Sequence, residues 1–186
     1  MKATDRILQR WRIAKAAKWI PKGARVLDVG CADGALFRQL RHRLAPGGIG
    51  IDHDLAQRTE AYGAVLYPGI FPADLPPAAG IFDAITMLAV LEHVPTDAQP
   101  ALANACREHL APGGRLIISV PSALVDPILD ALKAVRIIDG MELEEHYGFE
   151  VGSTPAIFEP AGFRLLLRRR FQLGLNNLFV FEKPWH

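Results

Sequence analysis

Residues 25–34 read Arg-Val-Leu-Asp-Val-Gly-Cys-Ala-Asp-Gly, and this stretch decides the fold. Its apolar run (Val26, Leu27, Val29) carries an acid, Asp28, two residues before Gly30. Small residues then lead through Cys31 and Ala32 to Gly34, and Ala35-Leu36-Phe37-Arg38-Gln39-Leu40 follows with apolar residues at helical spacing. That order predicts a buried strand, a tight turn and a helix start. Gly30, Ala32 and Gly34 have little or no side chain, so the turn is expected to bring backbone N–H groups close to a small ligand.

Outward from the turn, short apolar runs alternate with helical patterns. After Arg25–Val29, a helix is expected over 35–44, a turn at Pro46-Gly47-Gly48 and a second strand at Ile49–Asp52. A weak helix over 55–62 and a strand over 64–67 follow, then a strand over 81–88 and a helix over 97–110. Ala111-Pro112-Gly113-Gly114 reads as a helix stop before a central strand over 115–120. The alternation predicts an α/β domain with a doubly wound, mostly parallel sheet. Strands over 163–171 and 178–182 are separated by six residues, too few for a helical crossover, so this last pair is expected to be antiparallel. The sum is a seven-stranded sheet with six strands parallel and a C-terminal strand reversed.

Composition bounds the rest. A chain of 186 residues, half of them apolar, is read as one domain over 1–186. Its net charge of +1 gives no basis for nucleic acid as a partner. Cys31 and Cys106 make no metal or disulfide spacing, which points to reduced thiols and a cytoplasmic location. No leader is recognised, and no apolar run reaches the ~20 residues of a membrane span. An N-terminal helix is expected within 1–20, with Ile7, Leu8, Trp11, Ala14 and Ala17 on one face and Arg6, Arg10, Lys15 and Lys18 mainly off it. Such a basic amphipathic pattern fits either a membrane surface or docking on the domain, and the second is the reading adopted. Ser122 to Ile138 reads as a helix, and 121–160 is the expected substrate-cover region.

In a doubly wound sheet the ligand lies at the carboxyl ends of the strands, which places the 28–34 turn beside Asp52. An acid at the end of the second strand can accept both hydroxyls of a ribose. That suits a dinucleotide or S-adenosylmethionine. A pyrophosphate calls for a G-x-G-x-x-G turn, whereas this spacing supplies Gly30, Ala32 and Ala35 behind an acid.

Asp28-Val29-Gly30-Cys31-Ala32-Asp33-Gly34 resembles the first motif of class I S-adenosylmethionine-dependent methyltransferases, D-x-G-x-G-x-G, with alanine at the middle glycine. Gly50-Ile51-Asp52, the block from Phe82 to Val94, and Leu110 to Ile118 resemble later blocks of that family's small-molecule branch, in order and spacing. The resemblance implies S-adenosylmethionine as cofactor and a small-molecule methyl acceptor as partner. It places Gly30, Cys31, Ala32 and Gly34 at the methionine end, with Asp28 ordering the loop or reaching the amino group. Asp52 would take the ribose hydroxyls, His53 would flank the adenine and Leu88 would pack near the cofactor. The family's acid after the third strand is missing. Ile70 or Phe71 falls there, so Phe71 and a backbone amide are the expected adenine contacts.

His93 and His146 are the candidates for a base, and a metal is not expected because Ala89 stands where some metal-binding relatives carry an acid. Arg168-Arg169-Arg170 alternates faces of a strand and reads as a solvated edge. The chain is expected to be a monomer or homodimer. Two other classes fit parts of the pattern. One is a nicotinamide-dependent oxidoreductase, which Asp28 and the reversed strand oppose. The other is a protein that binds the cofactor without turnover.

Overall fold

A computed structural model describes residues 3–122 and 149–185. Helix α1 (Ala3–Ala16) precedes β1 (Val26–Val29) and α2 (Ala35–Leu40). Then come β2 (Gly48–Asp52), β3 (Thr59–Ala61), β4 (Ala64–Pro68), β5 (Phe82–Leu88), α3 (Gln99–His109) and β6 (Leu110–Pro121). Helix α4 (Thr154–Phe158), β7 (Arg164–Phe171) and β8 (Asn176–Glu182) complete the described chain. The expected helix over 122–138 lies almost wholly outside the described residues. So do His146 and all of 121–160 except its two ends.

The strands form one sheet in the order β3-β4-β2-β1-β5-β6-β8-β7. β4, β2, β1, β5 and β6 are mutually parallel, and β8 runs antiparallel to both β6 and β7. The predicted architecture is therefore present, with six strands in one direction and a reversed C-terminal strand.

An eighth strand was not expected. Where 55–62 reads as a weak helix, β3 pairs antiparallel with β4 through Ala61↔Ala64. The connection is Tyr62-Gly63, both at positive φ (54° and 80°), as a two-residue hairpin turn requires. Tyrosine is an uncommon residue for that place, and the guanidinium of Arg38 lies 5.7 Å from its ring centre. Helix α2 also stops at Leu40, short of the expected 44.

Apolar residues of β1 alternate between two cores. Leu27 and Val29 join the layer beneath α3 and α4, while Val26 joins the layer beneath α1 and α2. Asp28 therefore points to the α1 side. Helix α1 packs through Ile13 and Ala16, followed by Ala17 and Ile20, all buried. The expected stripe is thus corrected, since Ile7, Leu8, Trp11 and Ala14 face outward and Ala17 alone is buried. Small Ala16 and Ala17 let the backbone lie close to the sheet between the larger anchors Ile13 and Ile20.

Candidate functional site

Gly30 takes φ +74°, and a Cβ on it would stand 2.2 Å from Cγ2 of Val90, so only glycine fits. From there the turn folds back on β2, with the N–H groups of Gly30 and Cys31 both donating to the Ile51 carbonyl, at 2.9 and 3.3 Å. The Ala32 N–H donates to Oδ2 of Asp52 at 2.7 Å, and that of Gly34 to the Cys31 carbonyl at 2.9 Å. These four N–H groups are committed to protein acceptors. At those four positions the turn therefore offers a ligand space and backbone edge.

Above the turn lies a cavity of about 230 Å³. Asp28, Gly30, Cys31 and Ala32 form its floor, with Ala35 and Leu36 of α2 beside them. Leu88 and Ala89 close one side, and Gln9, Arg12 and Ile13 of α1 close the other. Asp28 is 4% exposed and accepts a 2.6 Å hydrogen bond from the Thr86 hydroxyl, its neighbour across the β1–β5 register. Burial pushes its carboxyl up to about 7, a rise that the Thr86 bond opposes and nearby Asp52 reinforces. A buried acid faces the same cavity as the arginine of α1. That pairing suits a zwitterion, with an ammonium at one end and a carboxylate at the other.

Asp52 stands at the end of β2 and is buried. Its Oδ2 accepts from Ala32 and its Oδ1 from the Asp54 N–H at 2.9 Å. A carboxylate has about four lone-pair sites, so two remain for hydroxyl donors. His53 is largely exposed, with Nε2 3.2 Å from Oδ1 of Asp54.

The remaining candidates are dispersed. Phe71 is buried in the core with its ring edge against His109, and does not line the cavity. Asp74, four residues on from Ile70, accepts the Ile70 N–H at 2.8 Å and closes that turn. His93 sits in a single helical turn after β5, 4.0 Å from Oε1 of buried Glu92, and also does not line the cavity. His146 lies outside the described residues. Burial, together with Asp28 and Asp52, pushes the Cys31 thiol up, which leaves it a neutral packing group. Its sulfur fills the space over Gly50, where a Cβ would stand 2.7 Å from Sγ. Among the described residues no group of three or more His, Cys, Asp or Glu is placed to hold a metal.

Gln9 and Arg12 were missed by sequence reasoning because the wrong stripe of α1 was taken as its buried side. The spacing 9, 12, 13, 16, 20 carries the signal, with polar residues at the end of an otherwise buried line.

A family model described as a methyltransferase domain matches residues 3–167. The ubiquinone biosynthesis O-methyltransferase of Psychrobacter cryohalolentis is 32% identical over 185 residues, covering 92% of this chain and 69% of that protein. The protein of the same name from Xanthomonas axonopodis pv. citri is 33% identical over 138 residues, covering 66% of this chain and 55% of its own length. The chain thus spans between about half and two thirds of the curated relatives it matches. Among solved structures, a TehB-like SAM-dependent methyltransferase from Corynebacterium glutamicum superposes with a TM-score of 0.65 at 18% identity, covering 96% and 97% of the two chains. The magnesium protoporphyrin IX methyltransferase of Synechocystis, solved with SAH bound, gives 0.64 at 20% identity over 94% and 83%. At these identities the two superpositions speak to the fold.

Proposed function

Because the chain belongs to the methyltransferase-domain family, whose methyl donor is S-adenosylmethionine, we propose that it methylates an oxygen of a small-molecule acceptor. The oxygen is suggested by its relatives, which are named O-methyltransferases of ubiquinone biosynthesis. The observation that carries the cofactor reading is the cavity that Asp28 and Arg12 both line, above a turn whose N–H groups at 30, 31, 32 and 34 are already committed. When bound, S-adenosylmethionine supplies a methyl group on a sulfonium, an electrophile that needs no further activation.

The residues of this chain then bind and orient. Asp28 faces the ammonium of the donor's amino-acid end and Arg12 its carboxylate. Gly30, Cys31, Ala32 and Gly34 shape the turn beneath that end, and Leu88 packs against it. Asp52 takes the ribose hydroxyls with the lone pairs that Ala32 and Asp54 leave, and His53 flanks the adenine. Alignment of the two reactants and exclusion of water supply most of the rate in such a transfer. A hydroxyl acceptor must also lose a proton, and His93 or His146 is the base that takes it.

Calorimetric titration tests the cofactor reading. S-adenosylhomocysteine is expected to bind and NAD to give no heat. Arg12→Ala is expected to weaken binding at least tenfold, about 1.4 kcal/mol. NAD binding as tight as that of S-adenosylhomocysteine would overturn the reading. Transfer of labelled methyl to a panel of phenols and catechols, against amines of similar size, tests the acceptor atom.

A further inference from the structure

The charge of this chain is unevenly placed. Residues 1–25 hold eight Lys or Arg and one acid, which leaves 13 of the 21 basic residues against 19 of the 20 acids for the rest. The overall +1 therefore conceals an N-terminal segment at +7 on a body at −6. Helix α1 lies in the basic segment, and because it docks through Ile13 and Ala16, its larger apolar side chains face out. Ile7 is 62% exposed, Leu8 37% and Trp11 44%. Ile7, Trp11 and Ala14 follow one another at i, i+4 and i+7, so they draw a single apolar line along the outer side. Arg10, Lys15 and Lys18 flank or continue that line.

A second segment meets this one in space. After β7 the chain makes a turn at Gln172-Leu173, where both residues take left-handed backbone (φ 52° and 56°) that favours glycine. The turn is anchored to α1, because Nε2 of Gln172 donates to the Leu8 carbonyl at 3.3 Å. Leu173 is thereby presented 99% exposed beside Leu8, from a strained backbone that buries none of it. Arg169 lies on the same face of β7 as Leu167 and Phe171, which pack on the α1 side. On the other flank a groove between α1 and α2 is lined by Arg6, Ile7, Arg10 and Arg38.

We infer that the outer face of α1 and the Leu173 turn together dock the protein on an anionic lipid bilayer. Ile7, Trp11 and Leu173 enter the boundary between headgroups and acyl chains, and the surrounding Lys and Arg meet the lipid phosphates. Apolar tips ringed by basic residues, with a tryptophan among them, match the two attractions of such an interface. A second copy of this chain is a poorer occupant, because a symmetric contact would press two +7 segments together. Nucleic acid would satisfy the charge but leave Leu173 and Ile7 without a role.

The test is co-sedimentation of the full chain with phosphatidylcholine vesicles, with and without phosphatidylglycerol. Binding is expected only where phosphatidylglycerol is present, weakening as salt rises. Leu173→Glu and Ile7→Glu are each expected to lower the vesicle partition coefficient at least tenfold. Leu173→Glu should leave the affinity for S-adenosylhomocysteine and the thermal midpoint unchanged, which excludes misfolding as the cause. Absence of binding to the anionic vesicles overturns the inference, as does binding that both variants retain. A concentration-dependent dimer dissolved by Leu173→Glu would assign the face to self-association instead. Retention on duplex DNA, insensitive to both variants and with no vesicle binding, would assign the charge to nucleic acid.

Discussion

The carboxylate of Asp52 at the end of β2 holds Ala32 in the turn after β1, through a 2.7 Å hydrogen bond from the Ala32 N–H to Oδ2. Ala32 takes φ +45°, where a side chain is strained, and it stands at the middle glycine position of the motif this turn resembles. The same acid fixes the turn and, in the proposed function, takes the ribose hydroxyls with its remaining lone pairs. Asp52→Ala removes both and is expected to weaken binding of S-adenosylhomocysteine at least tenfold, about 1.4 kcal/mol. Asp52→Asn keeps one carbonyl oxygen for the Ala32 N–H and should fall between the two. Unchanged calorimetric affinity in Asp52→Ala would remove the ribose assignment.

Ala32→Gly relieves the left-handed strain but enlarges the entropy of the unfolded chain. Left-handed backbone costs an L-residue about 1–2 kcal/mol, and the added freedom of glycine returns roughly 0.4–1 of it. A net stabilisation of about 0.5–1 kcal/mol is expected, read as a higher urea midpoint at unchanged m. A lower midpoint would mean that the Asp52 bond holds this conformation without strain.

The parallel strands were legible because each is a short apolar run whose neighbours are turn residues, so β1, β2, β4 and β5 fall within one or two residues of their expected bounds. The reversed β8 followed from a connection too short to cross over. The β3 hairpin was not legible, because Tyr62-Gly63 carries no common turn signal and three strand residues show no period. Arg12 escaped for a different reason. On α1 two apolar stripes are available, Ile7, Leu8, Trp11 and Ala14 on one side and Ile13, Ala16, Ala17 and Ile20 on the other, and the second docks on the sheet. The candidate acids were found because Asp28 lies one residue from the end of β1 and Asp52 ends β2, whereas the candidate cation lies on a helix whose orientation only tertiary packing decides.

Gly50 lies beneath the turn, and a Cβ there would meet Sγ of Cys31 and Cδ2 of Leu66, each at 2.7 Å. Gly50→Ala is expected to destabilise the protein by about 1–3 kcal/mol, as overpacking does. It should also lift the turn and weaken the cofactor with it. Cys31→Ala in the same chain removes the Sγ clash, leaving those with its own Cβ at 2.9 Å and with Leu66, and should recover part of the loss. A double-mutant cycle by chemical denaturation checks this, and strict additivity would show that the two residues do not press on each other.

Asp28 is expected to couple the pH dependence of stability to that of cofactor binding. Its carboxyl is raised in the fold from 3.8 to about 7, with burial the main cause. A raised acid contributes stability that is fully present below its unfolded value and is lost as pH rises through the folded one. The cofactor-free protein is therefore expected to lose stability between about pH 4 and pH 7, on the order of 4 kcal/mol at most, three units at about 1.4 each. Asp28→Asn keeps an acceptor for the Thr86 hydroxyl and removes the buried charge, so it should flatten that profile and be the more stable protein at pH 8. Binding runs the opposite way, because an ammonium facing Asp28 favours the ionised acid. The affinity of the wild type for S-adenosylhomocysteine should rise with pH between 6 and 8, while that of Asp28→Asn should be lower and flat over the same range. Thermal melts and calorimetry across those pH values separate the two effects. A variant that is stabilised at pH 8 yet binds as tightly as the wild type would leave Asp28 a buried structural acid with no part in holding the cofactor.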